Sequence, residues 1–410
     1  MNIRSITIFF PVNARQSSAL PPAPDLTQAE NLRRSAWEAY RHAGFTVQSC
    51  RLATQPFPQY LSVDELGQSL DWVQAFERQA LQAGFDYTSL GPALPDSAES
   101  ISAVVEILRA TQTVFTSAML TQQGRVELLA VQRCAQAICT ISQIETNGFA
   151  NLRFAALANV PAGAPFFPAA YHQGQKLAFA LAMEAADMFI EEISPANDLH
   201  TAQRRLVSRI ESEAQRLTQV GEELAGRFQA QFLGIDFTPA PFPEPWRSFG
   251  NLLEKLGVPK AGLHGTLAAS AFITSTLDQA HFRRTGFNGL MLPVLEDSTL
   301  AQRAAEGSLS VKDLLLYSAV CGTGLDTLPL AGDVSAAALS ALLLDLSALA
   351  LRLNKPLTAR LMPIPGRKAG EMTTFDFDYF ANSRILPLEA APLENFLQEG
   401  TSLPIQSKGG

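Results

Sequence analysis

Short apolar runs alternate with longer segments of helical periodicity along this chain. The runs are rich in β-branched and aromatic residues and predict strands at Ile3–Phe10, Thr46–Leu52, Tyr87–Leu90, Val114–Met119, Leu152–Asn159, Leu177–Ala182, Gln231–Phe237, Gly289–Leu295, Gly324–Leu328 and Leu357–Ile364. The periodic segments predict helices at Gln28–Ala43, Leu61–Ala83, Ser97–Leu108, Gly124–Ile144, Thr201–Phe228, Ser248–Leu256, Thr266–Leu277, Leu300–Glu306, Val311–Val320 and Val334–Leu353. Strands separated by helices favour parallel pairing, so we predict an α/β fold with one large barrel or sheet.

The chain reads as a single domain over residues 1–397, followed by a flexible tail over 398–410 that is polar and ends in glycine. The 410 residues are 47% hydrophobic, which is enough for one large core. The proline-rich segment Thr238–Pro245 is the best candidate for a linker. A rigid turn between elements of one domain is the interpretation we favour.

Charge and cysteine content limit the possible partners. The net charge is −8, which argues against nucleic acid as a partner. Only 17% of residues are charged, which leaves room for the interface of a homo-oligomer. No run approaches the roughly 20 apolar residues of a membrane span, and the first apolar run is too short for a secretory signal. Four cysteines with no CxxC spacing do not make a disulfide framework, so we predict a cytoplasmic protein.

Acidic residues end two apolar runs between Gly286 and Asp333. Glu296 and Asp297 follow LMLPVL, and Asp326 and Asp333 flank TLPLAG. Clustered carboxylates of this kind could bind a divalent cation such as Mg²⁺ or transfer protons. Asp297 and Asp333 also stand where helix N-caps belong. Helix capping does not readily explain the position of Asp326, so Asp326 is our preferred functional carboxylate.

Two glycine-flanked positions could add a nucleophile and an anion site. Cys321 lies between small residues in AVCGTGLDT, where a thiol could attack a substrate; the alternative is a buried packing cysteine. His264 precedes Gly265 and Thr266 at a predicted helix start, whose N–H groups could hold an anion. The alternative there is an ordinary turn histidine. Gly324 belongs to the glycine-containing turn that would present the Cys321 thiol.

The segment 151–174 could form a lid over a small anionic ligand. Arg153 and Asn159 lie on or just after a predicted strand, and the apolar sequence PFFP precedes His172. Arginine binds carboxylates and phosphates in a bidentate manner, and an aromatic lid would exclude water. The alternative is a surface loop packed on the core.

Near the end of the chain, Arg360 lies in the last predicted strand and Glu371 follows Gly370 in a glycine-bearing loop. A glycine before Glu371 would let the backbone place this carboxylate in a cleft. Downstream, Asp376 and Asp378 alternate with phenylalanine as in a half-exposed strand, and we predict that they face solvent.

The motifs AGLHGTLAASAF, GFNGLMLPVLED, YSAVCGTGLDTLPLAGD and PIPGRKAGEMTTFD resemble the uncharacterised family of domain of unknown function 711. They also resemble, more loosely, the related UPF0210 proteins, and the resemblance spans nearly the whole chain. Residue by residue, the family motifs fall on Ile235, Asp236, Phe237, Pro241, His264, Gly265, Thr266, Glu296, Asp297, Cys321, Gly324, Asp326, Gly370, Glu371, Met372 and Phe375.

The resemblance implies a barrel of about ten strands surrounded by helices, like the pyruvate formate-lyase type of glycyl radical enzyme. It does not imply radical chemistry, because no RVxG-like motif with a following aromatic residue occurs and Cys321 has no paired cysteine. Together these features favour an enzyme that acts on a small anionic metabolite in a carboxylate- and cysteine-lined site. A non-catalytic small-molecule sensor and a structural oligomer subunit are the alternatives.

In this hypothesis the predicted site residues have three roles. The catalytic residues are Cys321, Asp326 and His264. The substrate-binding residues are Arg153, Asn159, His172, Gly265, Thr266, Gly324 and Arg360. The ligands of a divalent cation are Glu296, Asp297, Asp326, Asp333 and Glu371.

Overall fold

A computed structural model describes residues 1–13 and 24–408 of the chain. The strands of this part are β1 (Asn2–Phe9), β2 (Cys50–Ala53), β3 (Tyr87–Ala93), β4 (Val114–Met119), β5 (Thr121–Gln122), β6 (Arg125–Glu127), β7 (Phe154–Ala158), β8 (Ala178–Glu184), β9 (Gln231–Ala240), β10 (Gly324–Ala331), β11 (Leu357–Ile364) and β12 (Ser402–Pro404). Short 3₁₀ helices cover Phe57–Gln59, Thr146–Arg153 and Pro245–Arg247.

The α-helices of the described chain are α1 (Thr27–His42), α2 (Leu66–Gln82), α3 (Ala98–Ala110), α4 (Leu128–Ile141), α5 (Ala186–Ile193), α6 (Leu199–Phe228), α7 (Phe249–Lys255), α8 (Thr266–Gln279), α9 (Ser298–Glu306), α10 (Val311–Tyr317), α11 (Ala336–Arg352) and α12 (Phe396–Glu399). Ten of them fall on the ten predicted helices, and two, α5 and α12, were not predicted. Asp198 caps α6 by accepting from the Thr201 backbone N–H at 2.8 Å. In the described part of the chain, no helix is both long and apolar enough to cross a membrane.

Nine strands form one mixed sheet in the order β10-β11-β7-β4-β3-β2-β1-β8-β9. The five middle strands, from β7 to β1, are parallel to one another, as predicted. Two pairs of neighbouring strands are antiparallel, β7 with β11 and β1 with β8. The prediction of parallel pairing is wrong for these two pairs. β7 and β8 are not neighbours in the sheet, but the loop 159–177 that connects them contains no helix to return the chain to the opposite edge, so β8 starts at the edge where β7 ends and runs in the opposite direction.

The predicted closed barrel is not found among the described strands. The edge strands β9 and β10 do not pair with each other. Between them lies a segment that makes one bridge to each edge, from Arg284 to Ile235 and from Pro293 to Asp326. The predicted strand Gly289–Leu295 is part of this segment and is not a strand. Its proline cannot donate to a ladder, which explains why pairing there does not extend.

The loop 159–177 covers part of one face of the sheet, which we call the inner face. Thr7 Oγ1 donates to the Pro165 carbonyl at 3.1 Å, and Ser89 Oγ donates to the Ala170 carbonyl at 2.7 Å. These contacts lie on the carboxyl side of Arg4 in β1 and of Tyr87 in β3. The loop thus covers the inner face beyond these two residues and leaves a cavity toward the amino ends of the central strands.

The end of the chain joins a small second sheet. β12 pairs antiparallel with β6, which pairs with β5, so part of the segment predicted as a flexible tail is a strand. The backbone N–H of Lys408 also donates to the Arg352 carbonyl at 2.9 Å. The last two residues of the predicted tail lie outside the described residues.

Candidate functional site

A cavity of about 190 Å³ opens on the inner face of the sheet. Seven strands of the sheet contribute to its wall, with side chains of Arg4, Arg51, Tyr87, Phe115, Ala182, Asp236 and Arg360 among them. The volume is far above the roughly 10–15 Å³ that a single water requires, so the cavity has room for a small molecule. Sites in open α/β sheets usually lie at the carboxyl ends of strands, and the loop 159–177 explains why this cavity does not.

Four charged side chains form a continuous chain of ion pairs beside the cavity. Arg4 donates to Glu296 Oε2 at 2.5 Å, and Arg360 donates to Glu296 Oε1 at 2.6 Å. Arg360 also donates through Nε to Asp326 Oδ1 at 2.6 Å. Arg4, Glu296 and Arg360 line the cavity, and Asp326 lies behind Arg360. Glu296, Arg360 and Asp326 are all less than 5% exposed, so water does little to screen these pairs.

The environment moves the two carboxyl groups in opposite directions. Burial alone would favour neutral Glu296, but the guanidinium groups of Arg360 and Arg4 outweigh it and lower the pKa of Glu296 below its ordinary value. Burial dominates for Asp326 and raises its pKa, although Arg360 opposes this. Glu296 is therefore an ionised group facing the cavity at neutral pH.

Arg51 carries a guanidinium group without a carboxylate partner. Its Nε donates to Ser49 Oγ at 3.1 Å, and neither terminal nitrogen donates to any group within the described part of the chain. The guanidinium carbon lies 5.2 Å from the Phe167 ring centroid and 5.8 Å from that of Tyr87. Burial and the neighbouring Arg4 lower the pKa of Arg51 to about 10, so it remains a cation at neutral pH that lacks a counter-ion.

Aromatic rings make up much of the rest of the wall. The centroid of Phe115 lies 5.5 Å from that of Phe167 and 5.2 Å from that of Tyr87. Phe166 packs edge-to-face on Phe287, with the two ring centroids 5.6 Å apart. Burial raises the pKa of the Tyr87 hydroxyl, so it remains a hydrogen-bond donor at neutral pH. Phe377 and Tyr379 also line the cavity.

Asp236 holds the loop after α8 against strand β9. Its Oδ2 accepts from the Phe287 N–H at 2.9 Å, and its Oδ1 accepts from the Asn288 N–H at 3.0 Å and from Thr238 Oγ1 at 2.5 Å. A Cβ at Gly286 would lie 2.2 Å from Asp236 Oδ2, and φ there is +75°, so only glycine fits. This contact places Phe287 in the cavity wall.

A strained turn in β10 aims Asp326 at Arg360. The register of β10 with β11 shifts between Leu325 and Leu328, and Thr327 has a φ of 38°. Positive φ is unfavourable for a β-branched residue and often marks a functional site. The Asp326 Oδ2 and Thr327 Oγ1 atoms are buried without a hydrogen-bond partner in the described structure. Next to the cavity, β10 therefore has both a strained backbone at Thr327 and a buried carboxylate oxygen of Asp326 that accepts no hydrogen bond in the described structure.

Three of the predicted site residues come together here: Glu296 and Arg360 at the cavity, and Asp326 behind them. Asp297, next to Glu296, points away and caps two helices. Its carboxylate accepts from the N–H groups of Leu300 at 2.9 Å and Phe249 at 2.5 Å, which confirms the capping interpretation.

Other predicted site residues lie elsewhere. His264, Asp333 and Glu371 are solvent-exposed and do not line the cavity. Asp333 does not cap α11, because Ser335 does, accepting from the Ala338 N–H at 3.1 Å. Glu371 lies 3.7 Å from Arg367 in a surface ion pair.

Thr266 and its neighbour Gly265 begin α8 outside the cavity, and Thr266 Oγ1 donates to the Leu263 carbonyl at 2.7 Å. Cys321 is 1% exposed in a turn and does not line the cavity. Gly324 starts β10, where a Cβ would lie 2.3 Å from the Thr358 carbonyl oxygen. This close approach to β11 gives that glycine a packing role.

The residues predicted to bind an anion beneath a lid have structural partners instead. Arg153 is buried and donates to Glu145 at 2.9 Å and to the Leu108 carbonyl at 2.9 Å. The Asn159 side chain donates to Asn354 at 3.4 Å. A ring nitrogen of His172 lies 3.0 Å from the Lys176 carbonyl oxygen. The aromatic loop between them does reach the cavity, but as part of its wall and not as a lid held by Arg153.

Sequence reasoning missed Arg4 and Arg51, which supply two of the three cavity guanidinium groups. A usable signal was present, because each interrupts an apolar run that predicts a strand of a parallel sheet. Such strands are buried on both faces, so a charge within them requires a polar cavity or a buried partner. Tyr87, at the first position of β3, carries a weaker signal of the same kind.

The cavity does not offer a typical site for a divalent cation. No cluster of three or more His, Cys, Asp or Glu side chains suited to a metal occurs within residues 1–13 and 24–408. Glu296 and Asp326 both accept from arginine, and cations such as Mg²⁺ prefer carboxylates that are not already neutralised. The divalent cofactor therefore stays a prediction of the sequence.

Comparison with known proteins gives consistent matches. Residues 1–382 match the model of a family described as "Uncharacterised ACR (DUF711)". A UPF0210 protein of Pyrobaculum arsenaticum is 31% identical over 365 residues, covering 84% of this chain and 79% of that protein. A UPF0210 protein of Pyrobaculum aerophilum is 28% identical over 435 residues, covering 100% of this chain and 93% of that protein. A UPF0210 protein of Methanocaldococcus jannaschii is 26% identical, covering 92% and 87% respectively.

Proposed function

Because the chain belongs to the uncharacterised DUF711 family, as its sequence motifs suggested, its own cavity is the best guide to its activity. We propose that the protein is an enzyme that binds a small anionic metabolite in this cavity and acts on it without glycyl radical chemistry. Arg51 holds the anionic group, and Glu296 is the group placed to exchange a proton with the bound molecule.

The observation that carries this proposal is the unpaired Arg51 guanidinium inside the cavity. The ion-pair chain contains two carboxylates, Glu296 and Asp326, and two guanidinium groups, Arg4 and Arg360. Arg51 adds a third guanidinium without a described carboxylate in ion-pair distance. An uncompensated cation in a partly desolvated site is costly, and an anionic ligand removes that cost.

Glu296 has the geometry of a proton acceptor. Each of its oxygens accepts one N–H from an arginine, which leaves a lone pair on each for a ligand. In the free protein the two arginines keep this carboxylate weakly basic. Arg51 also lowers the pKa of Glu296, so a ligand anion that neutralises Arg51 raises this pKa and strengthens Glu296 as a base, which couples binding to proton transfer. Tyr87, whose hydroxyl is protonated, also lines the cavity.

The test compares three proteins on a mixture of cellular anionic metabolites, followed by mass spectrometry. The wild-type chain should deplete at least one anion and produce a new species. Glu296→Gln should bind that anion and fail to convert it, because the amide cannot accept the proton. Arg51→Met should do neither. Arg109→Met, which changes an exposed surface arginine, is the matched control and should behave as wild type.

The outcomes separate the competing functions. Retention of an anion by the wild type without conversion supports the sensor. Neither retention nor conversion, with all variants folded, would remove the cavity from consideration and leave the structural role.

Two further features of the proposal come from the sequence resemblance. The barrel of the pyruvate formate-lyase type would be completed by the segment between Arg284 and Pro293, and the bridges of this segment to both sheet edges support that idea. The homo-oligomer, the cytoplasmic location and the nucleophilic role of Cys321 stay predictions.

A further inference from the structure

The cavity also indicates what kind of anion it accepts, an inference that rests on the proposed function. We infer that the ligand is a small monocarboxylate with a flat, unsaturated ring as its body. The carboxylate binds the terminal nitrogens of Arg51, and the ring lies among the aromatic side chains of the wall. Charge, wall chemistry and the geometry of Arg51 each support this choice.

The charge of the site favours one negative charge on the ligand. Of the three guanidinium groups that line the cavity, Arg4 and Arg360 pair with Glu296, whereas Arg51 has no carboxylate within ion-pair distance in the described part of the chain. The carboxyl groups of Asp86 and Asp236 also line the cavity, which disfavours a ligand with further negative charge. A second negative charge, as on a phosphate dianion, would have to compete with Glu296 for Arg4 and Arg360. Those two arginines are already bound to Glu296 at 2.5 and 2.6 Å. A monoanion matches the site without breaking these pairs.

The wall favours an apolar body with a π face. Rings from Tyr87, Phe115, Phe166, Phe167, Phe287 and Phe377 line a cavity of about 190 Å³. Only a small molecule fits, and its body contacts mainly carbon. Ring pairs in offset or edge-to-face geometry gain free energy beyond the area they bury. The Phe115 ring, between Phe167 and Tyr87, offers such a contact.

The orientation of Arg51 separates the two ends of the ligand. The guanidinium lies against the rings of Phe167 and Tyr87, and its Nε is held by Ser49 Oγ. Its two terminal nitrogens are left for an acceptor, and they present the parallel N–H pair that binds a carboxylate in a bidentate manner. A ligand held there continues the aromatic surface on which Arg51 already lies.

The experiment measures binding of benzoate, cyclohexanecarboxylate, benzamide, phenyl phosphate and citrate to the full chain by calorimetry. Benzoate should bind about 2- to 10-fold more tightly than cyclohexanecarboxylate, from the ring contacts. Benzamide, which lacks the charge, should bind at least 10-fold more weakly. Arg51→Met should weaken benzoate binding by about 10- to 100-fold. Arg51→Lys, which keeps the charge but not the fork, should recover only part of that loss.

Phe115→Leu provides a second, independent variant, because it keeps Arg51 and changes one ring. It should remove the preference for benzoate over cyclohexanecarboxylate and leave citrate binding unchanged. The melting temperature of each variant shows that it is folded, and Arg109→Met again serves as the control.

The results distinguish this inference from the proposed function. Arg51-dependent binding of phenyl phosphate or citrate more tightly than benzoate would overturn the monocarboxylate and retain the anion site. Equal affinity for benzoate and cyclohexanecarboxylate would overturn the ring. Absence of Arg51-dependent binding for all the anions would overturn both.

Discussion

Replacing Arg360 with methionine should destabilise the protein strongly, because it breaks the ion-pair chain at its centre. Methionine keeps much of the aliphatic stem and removes the guanidinium. Glu296 retains Arg4, but Asp326, whose side chain is 0% exposed, keeps only the Thr327 N–H at 3.0 Å. Removing one partner of a buried ion pair costs about 3–5 kcal/mol, since the other charge remains buried and unpaired.

The expected shift can be measured by thermal melting. Unfolding entropy of about 2.1 cal/mol/K per residue gives about 0.9 kcal/mol/K for a chain of this length. A loss of about 3–5 kcal/mol then lowers Tm by about 3–6 °C. Lys312→Met, which removes a surface pair with Glu389, is the control and should leave Tm within error.

The effect should depend on pH and on Asp326. Burial raises the pKa of Asp326, and without Arg360 the pKa rises further, so the carboxyl becomes neutral as the pH falls. The loss caused by Arg360→Met should therefore be larger at pH 8 than at pH 5. Asp326→Asn combined with Arg360→Met should cost clearly less than the sum of the two single changes. A pH-independent loss, additive costs, or a loss no larger than that of the control would refute the reasoning.

Three further predictions concern the same region. In urea titrations at pH 7, Glu296→Gln should lower the free energy of unfolding, and the difference from wild type should fade as the pH drops below 4.5. The pKa of Glu296 is lowered in the folded protein, so the stabilisation from its charge is lost as the pH falls through that lowered pKa. A difference that stays constant with pH would contradict this. Gly286→Ala should cost more stability than Gly366→Ala in the same assay. The two glycines have nearly the same φ, +75° and +73°, but only a Cβ at Gly286 would contact Asp236. Equal losses would show that Asp236 does not hold the loop that contains Gly286. Asp297→Ala should lower the free energy of unfolding by about 2–4 kcal/mol, and Ser335→Ala by only about 1 kcal/mol. Asp297 accepts from backbone N–H groups at the starts of both α7 and α9, whereas Ser335 caps α11 alone. Equal losses would argue against the double cap.

Much of the fold could be predicted from local pattern. The runs of β-branched and aromatic residues located all nine strands of the large sheet, and the periodic segments located most helices. The antiparallel pairing of β8 with β1 and of β11 with β7 could not be predicted, because the direction of a strand depends on the path that its connection takes across the sheet. The predicted strand at Gly289 failed for a tertiary reason: a Cβ there would lie 2.2 Å from Gly322 Cα, so the segment packs against a turn.

The site was predictable in part. Glu296, Asp326 and Arg360 were each identified, but their meeting depends on the register of β10 with β11, which no local pattern specifies. His264 and Glu371 show the converse problem. A charged residue beside glycine has the same appearance in sequence whether its turn faces a cavity or, as here, solvent. Arg4 and Arg51 were not predicted as site residues, although a charged residue inside a predicted strand indicates a polar cavity or a buried partner.

The cavity wall draws on strands that span the chain from Arg4 to Arg360. No short fragment of the polypeptide contains the whole cavity, because the contacts that form it join residues far apart in sequence. A molecule that fits the cavity would then recognise only the finished tertiary structure. Such a compound would act as a pharmacological chaperone, shifting the population toward the native state by mass action.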